Sequence, residues 1–379
     1  MRVGVDARVL DRGEQLGLGV RRFLVRVLEQ LQVRGHASSV VLYSDAPAAA
    51  VDRSGCLADI ACRRLPAWRS HRAWEQVALP LAARRDGIDV LWSPCYTTAL
   101  WLGRPRVVNI HDISFDRDDA SGVQRRLRRL SKRSAAVATS VMTCSKFSRQ
   151  DLVTRWRVPE SKVVAIHMAA DPPEPGWERR AGDTLARLGV AEPYLLHVGT
   201  LYSRRRIPTL LEAYARARHA FPDVSLVVVG RNRTSPHEPL EDIMARLNEQ
   251  VGWRAVRHLP YVDEADLAPL FGRALAFVYL STLEGFGLPP LEAMAHGVPV
   301  ISTTGGSLAE VTPGAARLVD PTNAHEVAAA LAEVLASAEV RADLSQRGLA
   351  RAQAFSWERC ARQTWDVLAS AAEEGGPRG

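Results

Sequence analysis

The sequence predicts an α/β protein made of two doubly wound domains, each a parallel sheet covered by helices on both faces. Three observations carry that expectation. Short β-branched runs alternate with helical stretches along the whole chain, the pattern of strand–helix–strand units. The chain has 379 residues, which at roughly 100–200 residues per domain points to two domains. The segment Asp171-Pro172-Pro173-Glu174-Pro175-Gly176 divides the chain into similar halves. Its prolines and glycine cannot continue a helix or a central strand.

Candidate strands of the first half lie at residues 2–6, 39–43, 89–92, 107–110, 138–143 and 163–166. Those of the second half lie at 194–198, 225–229, 256–259, 276–279, 299–302 and 316–319. Helices fill most gaps, for example 20–33, 209–221 and 324–336. Met1-Arg2-Val3-Gly4-Val5-Asp6 carries a charge at position 6 and no long apolar region, so it reads as a strand and not as a secretion signal. The tail, residues 373–379, is expected to fray.

Hydrophobic residues make up 47% and charged residues 24% of the chain, an ordinary globular balance. No apolar run reaches the roughly 18 residues of a membrane-spanning helix. Cys56, Cys62, Cys95, Cys144 and Cys360 form no C-x-x-C pair and no even-numbered framework. That fits a reducing, cytoplasmic setting and argues against structural zinc. The net charge of +7 attracts anions: nucleic acid, an anionic membrane face or phosphorylated small molecules.

The strongest motif is Glu284-Gly285-Phe286-Gly287-Leu288-Pro289-Pro290-Leu291-Glu292-Ala293-Met294-Ala295, directly after an apolar strand. A glycine-rich turn leads into a helix whose first turn holds Pro289 and Pro290, where missing N–H groups do little harm. Free amides and a helix N-terminus at the carboxyl end of a sheet bind phosphate and polar ligands. Glu284 and Glu292 can accept hydrogen bonds from vicinal hydroxyls of a hexose and a ribose. Against this stands a surface turn with two solvated glutamates, since glutamate near a helix start is common for dipole reasons alone.

A second loop, Gly199-Thr200-Leu201-Tyr202-Ser203-Arg204-Arg205-Arg206, follows the strand at 194–198. Its glycine permits close approach, Thr200 offers a hydroxyl, and the arginines present positive forks to phosphate oxygens. The bland alternative is a solvated charge run. Asn109-Ile110-His111-Asp112-Ile113-Ser114-Phe115 ends a first-half strand and offers a histidine for proton transfer or for a sugar hydroxyl. A lone His-Asp pair is more often structural. Gly17-Leu18-Gly19-Val20 lacks the third glycine of a dinucleotide fingerprint. Asp116-Arg117-Asp118 is a chance-level match to a metal-holding D-x-D. The run Arg125-Arg126-Leu127-Arg128-Arg129-Leu130-Ser131-Lys132-Arg133 reads as a solvated helix face, with peripheral contact to anionic lipid as the alternative. It has no interleaved aromatics, which disfavours nucleic acid.

Glu284 through Glu292 resembles the E-x7-E motif of family-four retaining glycosyltransferases, which have the GT-B fold. The resemblance extends over nearly the whole chain. It includes Met1–Arg8 with Gly17-Leu18-Gly19, Trp74-Glu75-Gln76, Ser93-Pro94 and His111 through Phe115. It continues in Thr143-Cys144-Ser145-Lys146-Phe147-Ser148, Val198-Gly199-Thr200-Leu201, Gly305 through Val311 and Phe355-Ser356-Trp357. It implies a Rossmann-like acceptor domain at 1–171 and a Rossmann-like nucleotide-sugar domain at 172–355, with a cleft between them. A C-terminal helix at 356–379 is expected to cross back to the first domain.

The resemblance also implies roles. Glu292 would bind ribose hydroxyls; Glu284 and the amides of Gly285, Phe286, Gly287 and Leu288 would hold the donor sugar. Gly199, Thr200 and Arg205 would lie on the diphosphate, Gly19 beside the phosphates, and His111 near the transferred sugar. Tyr261-Val262 matches the segment that contacts the base. The family usually has Arg-Lys-Asn where this chain has Arg204-Arg205-Arg206.

The activity so implied is transfer of a hexose from a UDP- or GDP-sugar to a hydroxyl of a sugar-containing acceptor, with retention and without metal or other cofactor. That acceptor is a glycan, a lipid-linked sugar or a natural product. Arg205, backbone amides and a helix N-terminus would meet the charge on the departing diphosphate. Two rivals are a GT-B nucleotide-sugar epimerase and a catalytically silent GT-B binding protein. A phosphorylase with a lysine-bound cofactor is disfavoured, because the second half has no lysine. The sequence sets neither the base nor the oligomeric state.

Overall fold

The structure, a computed structural model, describes residues 1–11, 18–47, 51, 55–66, 70–116, 122–251 and 255–374. The chain divides into two compact units: Met1–Met168 with the C-terminal segment from Ser356, and Ala169–Phe355.

The first unit is built on a seven-stranded sheet in the order β3-β2-β1-β4-β5-β6-β7. The strands are β1 (Val3–Asp6), β2 (Val40–Ser44), β3 (Ala61–Arg64), β4 (Val90–Ser93), β5 (Arg106–Asn109), β6 (Ser140–Thr143) and β7 (Val163–Ala165). All pairs are parallel, and Val3 is in register with Val40 on one side and Val90 on the other. The order reverses between β1 and β4, the switch point at which ligands enter open α/β sheets. The central strands are buried because β-branched and apolar residues fill both faces, as parallel strands under helices require.

Strand β3 was not expected from sequence. It sits at the sheet edge and is largely exposed, with Arg63 and Arg64 in its run. An edge strand with one solvated face carries no apolar signal, and its charges discourage pairing with another chain. The helix Trp357–Glu374 packs on the helix Leu18–Val33 within this unit. His36 stacks on Trp365 with ring centroids 3.9 Å apart, and Arg34 pairs with Glu358 at 3.3 Å.

The second unit holds a six-stranded sheet in the order β10-β9-β8-β11-β12-β13. Its strands are β8 (Tyr194–Val198), β9 (Ser225–Val229), β10 (Val256–Leu259), β11 (Ala276–Val278), β12 (Val300–Ser302) and β13 (Arg317–Leu318). Again every pair is parallel, and the switch point lies between β8 and β11. Alternate residues feed two cores: Leu195, Leu226, Val228 and Val278 on one face, Tyr194, Leu196, Val227 and Phe277 on the other. Each such side chain contributes about 1.5–3 kcal/mol on full burial. Residues 171–176 form neither helix nor strand, as their prolines dictate.

Candidate active site

The loops at the carboxyl ends of β8, β11 and β12 gather beside the second switch point. The first begins at Gly199, whose φ is 137° and whose N–H donates to the Val229 carbonyl at 2.9 Å. A Cβ on Gly199 would collide with Nη1 of Arg205. The missing side chain is therefore the space in which that guanidinium lies. Ser203–Arg205 form a single 3₁₀ turn that folds Arg205 back over the glycine. Its Nη1 donates to the Thr200 carbonyl at 2.8 Å.

Arg205 is buried, and Arg206 is exposed. Arg204 is half-buried, with its guanidinium 4.3 Å from the Tyr202 ring centroid. The adjacent arginines are thus neither one solvated run nor one phosphate-binding row.

Arg206 adopts φ 47° and ψ 44°, the left-handed region, as it caps the helix Ile207–Ala217. Ordinary L-residues pay about 1–2 kcal/mol there, whereas asparagine visits it readily. Arg206→Asn should accordingly stabilise the protein by about 0.5–1 kcal/mol, read as a higher urea midpoint at unchanged m. A lower midpoint would show that the Arg206 side chain makes a compensating contact.

The second loop carries Glu284. Its Oε1 accepts the Tyr279 hydroxyl at 2.9 Å and Nε of Arg205 at 3.2 Å, all three residues being buried. Burial pushes the Glu284 carboxyl up, but Arg205, Arg204 and the Ser281 and Tyr279 hydroxyls outweigh it. The net effect holds the carboxyl below the ordinary carboxylate range. Burial likewise works against the Arg205 charge, and Tyr279 and Glu284 more than restore it. The result is a buried, hydrogen-bonded ion pair, held ionised at the carboxyl edge of the sheet.

The third loop locks the Glu284 backbone. The Glu284 carbonyl accepts the Ser307 N–H at 3.0 Å and the Ser307 hydroxyl at 2.9 Å. Gly305 and Gly306 lie against the Ser281–Glu284 main chain so closely that a Cβ on either would strike backbone atoms. The Thr282 N–H donates to the Arg204 carbonyl at 2.9 Å, tying this loop to the first. Tyr279 and Ser307 were missed as site residues from sequence. The Gly305-Gly306 pair directly after an apolar strand was the available signal for the third loop.

Beyond Glu284, Phe286 is buried edge-on to Phe355 at 5.8 Å. Gly287 caps the helix Leu288–Ala295, with proline in its first turn as anticipated. Glu292 is half-buried on that helix. Val262 is buried in the core with Leu259 and Val229, and its neighbour Tyr261 is exposed, with Arg231 5.7 Å from its ring centroid.

In the first unit, His111 is buried, and its Nε2 lies 3.0 Å from the Pro94 carbonyl, an acceptor that assigns the ring proton to Nε2. Burial lowers its pKa; the Pro94 carbonyl and Asp112 oppose that only in part. His111 is therefore a neutral imidazole at neutral pH. The Asp112 carboxylate accepts the Ser114 N–H at 2.8 Å, which is a turn-forming contact.

Gly19 is exposed in the first turn of Leu18–Val33, and Gly17 lies outside the described residues. Asp116 of the D-x-D match accepts the Trp156 indole N–H at 3.0 Å and pairs with Arg128 at 3.1 Å. Arg117 and Asp118 lie outside the described residues. In the basic helix Gly122–Val137, Arg128 and the cation of Lys132, 5.5 Å over Trp156, are thus engaged within the protein. Sequence reading also missed a buried cluster after β1, where Arg8 bonds to Asp6 at 2.9 Å and to Glu75 at 3.1 Å. Among the described residues no helix is long and apolar enough to cross a membrane.

Two parallel-sheet units of the Rossmann-like kind define the GT-B fold. Residues 187–351 match the family described as glycosyl transferases group 1, and residues 18–173 match Glycosyltransferase Family 4. The chain is 32% identical over 267 residues to O-antigen chain mannosyltransferase B of Escherichia coli, covering 68% of each chain. It is 29% identical over 322 residues to MMP alpha-(1->4)-mannosyltransferase of Mycolicibacterium hassiacum, covering 78% of this chain and 74% of that protein. The Anabaena HepE structure in complex with UDP and glucose superposes with a TM-score of 0.75 at 18% identity, covering 98% of this chain and 100% of that one. The chain belongs to the family-four type of GT-B glycosyltransferases.

Proposed function

We propose that this glycosyltransferase moves a hexose from a nucleoside diphosphate sugar to a hydroxyl of a sugar-containing acceptor, with retention and without a metal. The observation that carries the proposal is Glu284, kept ionised by Arg205 at 3.2 Å beside the amino end of the helix Leu288–Ala295. An ionised carboxylate there accepts donor-sugar hydroxyls. The adjacent guanidinium and the helix amides meet the charge that grows on the departing diphosphate. The mannosyltransferases among the relatives, and the UDP and glucose of the HepE complex, support a nucleotide-sugar donor.

Glu292 accepts ribose hydroxyls in this scheme, and Gly199, Thr200 and the amides of Gly285 to Leu288 line the diphosphate and sugar. His111, being neutral, hydrogen-bonds the transferred sugar and does not serve as a strong acid. Asp112 Oδ1 accepts the Ser114 amide, which ties that carboxylate into its own turn. Attack on the leaving-group face, with a phosphate oxygen taking the acceptor proton, needs no enzyme nucleophile.

The test is to incubate the protein with GDP-, UDP- and dTDP-hexoses, with and without sugar acceptors and EDTA, and to read the product anomer by NMR. An α-linked product from an α-donor, formed in EDTA, is expected. An inverted product, an absolute manganese requirement, or epimerised donor without transfer would each overturn the corresponding part. Glu292→Ala should weaken binding of the free nucleoside diphosphate by about 1–2 kcal/mol, the loss of hydrogen bonds to a half-buried charged group. Calorimetric titration checks this; unchanged affinity would remove Glu292 from the ribose.

A further inference from the structure

We infer that the Tyr279 hydroxyl is a positioning residue for the transfer reaction: it fixes the Glu284 carboxylate beneath the donor sugar. The inference rests on the proposed role of Glu284 and adds a residue that does not itself touch substrate.

Tyr279 follows β11 and is wholly buried. A buried phenol must find a hydrogen-bond partner, and this one donates to Oε1 of Glu284 at 2.9 Å. The same oxygen takes Nε of Arg205 at 3.2 Å. Two donors, one from the end of β11 and one from the loop after β8, thus hold a side chain with three rotatable bonds. A carboxylate so held is preorganised, and none of its orientation has to be established when substrate arrives.

The tyrosine is itself held. Its ring stacks on His197 at 5.5 Å and on Phe277 at 5.9 Å, and the Arg205 guanidinium lies 5.1 Å from its centroid. His197 Nδ1 lies 2.9 Å from the Val278 carbonyl, so it carries the proton and the ring stays in one tautomer. Burial, with Arg205 nearby, lowers the His197 pKa to about 4, so no charge develops under the tyrosine near neutral pH. Burial also raises the phenol's pKa, which keeps it a donor. The groups facing Glu284 are therefore Arg205 and Arg204 from the loop after β8, and Ser281 and Tyr279 from its own loop.

Tyr279→Phe removes the hydroxyl and keeps the ring, which separates positioning from packing. The hydrogen bond favours the ionised carboxylate, so its loss raises the Glu284 pKa. The acid limb of the kcat/KM profile should move to higher pH. At neutral pH kcat should fall about tenfold to a hundredfold, as for one hydrogen bond to a charged group, with nucleoside diphosphate affinity unchanged.

An unshifted acid limb with near-normal kcat would reduce Tyr279 to a core aromatic. A parallel loss of kcat, nucleotide affinity and thermal midpoint would overturn the inference as well. Glu284→Gln separates the two levels. If it is inert while Tyr279→Phe is active, only the tyrosine inference fails; if Glu284→Gln is fully active, the role of Glu284 itself fails.

Discussion

Arg205→Ala is expected to lower kcat by about 10²–10³, with a smaller rise in donor KM. Only interactions that strengthen in the transition state speed the chemical step, and the charge on the leaving diphosphate is largest there. The structure adds a second consequence. Arg205 is the buried ion-pair partner of Glu284, so truncation leaves a buried carboxylate without its main counter-charge, at up to about 3–5 kcal/mol of stability. The sign of the pH dependence follows. In the wild type the Glu284 pKa is depressed, so its stabilisation is present above the unfolded carboxylate pKa. It is lost as pH falls through the folded value.

In the variant the largest opposing charge is gone, Arg204 and the Ser281 and Tyr279 hydroxyls remain, and burial moves the Glu284 pKa up from its wild-type position. The cost should therefore be greatest near neutral pH and shrink as acidification neutralises Glu284. Urea unfolding at several pH values, beside steady-state kinetics at saturating acceptor, measures both effects. Arg205→Lys restores the charge, and with it the family's usual residue, and should recover much of the activity. Near-normal kcat for Arg205→Ala, with collapse for Arg206→Ala, would place the wrong arginine at the diphosphate.

Gly199→Ala should be nearly as damaging, although it adds only one methyl group. With φ at 137°, an L-residue at this position costs about 1–3 kcal/mol in backbone strain. The new Cβ would also occupy the position of Arg205 Nη1, so the guanidinium must leave Glu284 or the loop must move. The two substitutions share that mechanism, and their effects should not add. In the Arg205→Ala background, Gly199→Ala should cost only its backbone strain and almost no further activity. Full additivity in kcat would show that the glycine serves the ligand directly and does not make room for Arg205.

The strands at the centre of the second sheet were legible because they are buried on both faces. Tyr194–Val198 and Ser225–Val229, interior to the sheet and buried throughout, were bounded in the sequence as they stand in the fold. Ala61–Arg64 was not, since an edge strand with one wet face has no apolar signature. The glycine turn and prolines before Leu288–Ala295 were legible because a helix start leaves local marks.

By itself the sequence determined that two parallel sheets form, where most strands lie, and which loops leave their carboxyl ends. Those properties follow from hydrophobic period and from residues that break or start helices, all of which act over a few neighbouring positions. Residue chemistry alone could not rank Arg204, Arg205 and Arg206, which are identical; only the family resemblance singled out Arg205. Only the tertiary structure buries Arg205 and leaves Arg206 in solvent, because a bare glycine and a 3₁₀ turn aim one of them inward. Its partner Glu284 lies 79 residues further along the chain. A contact at that separation depends on β8 and β11 lying side by side in the sheet, and no local pattern records it.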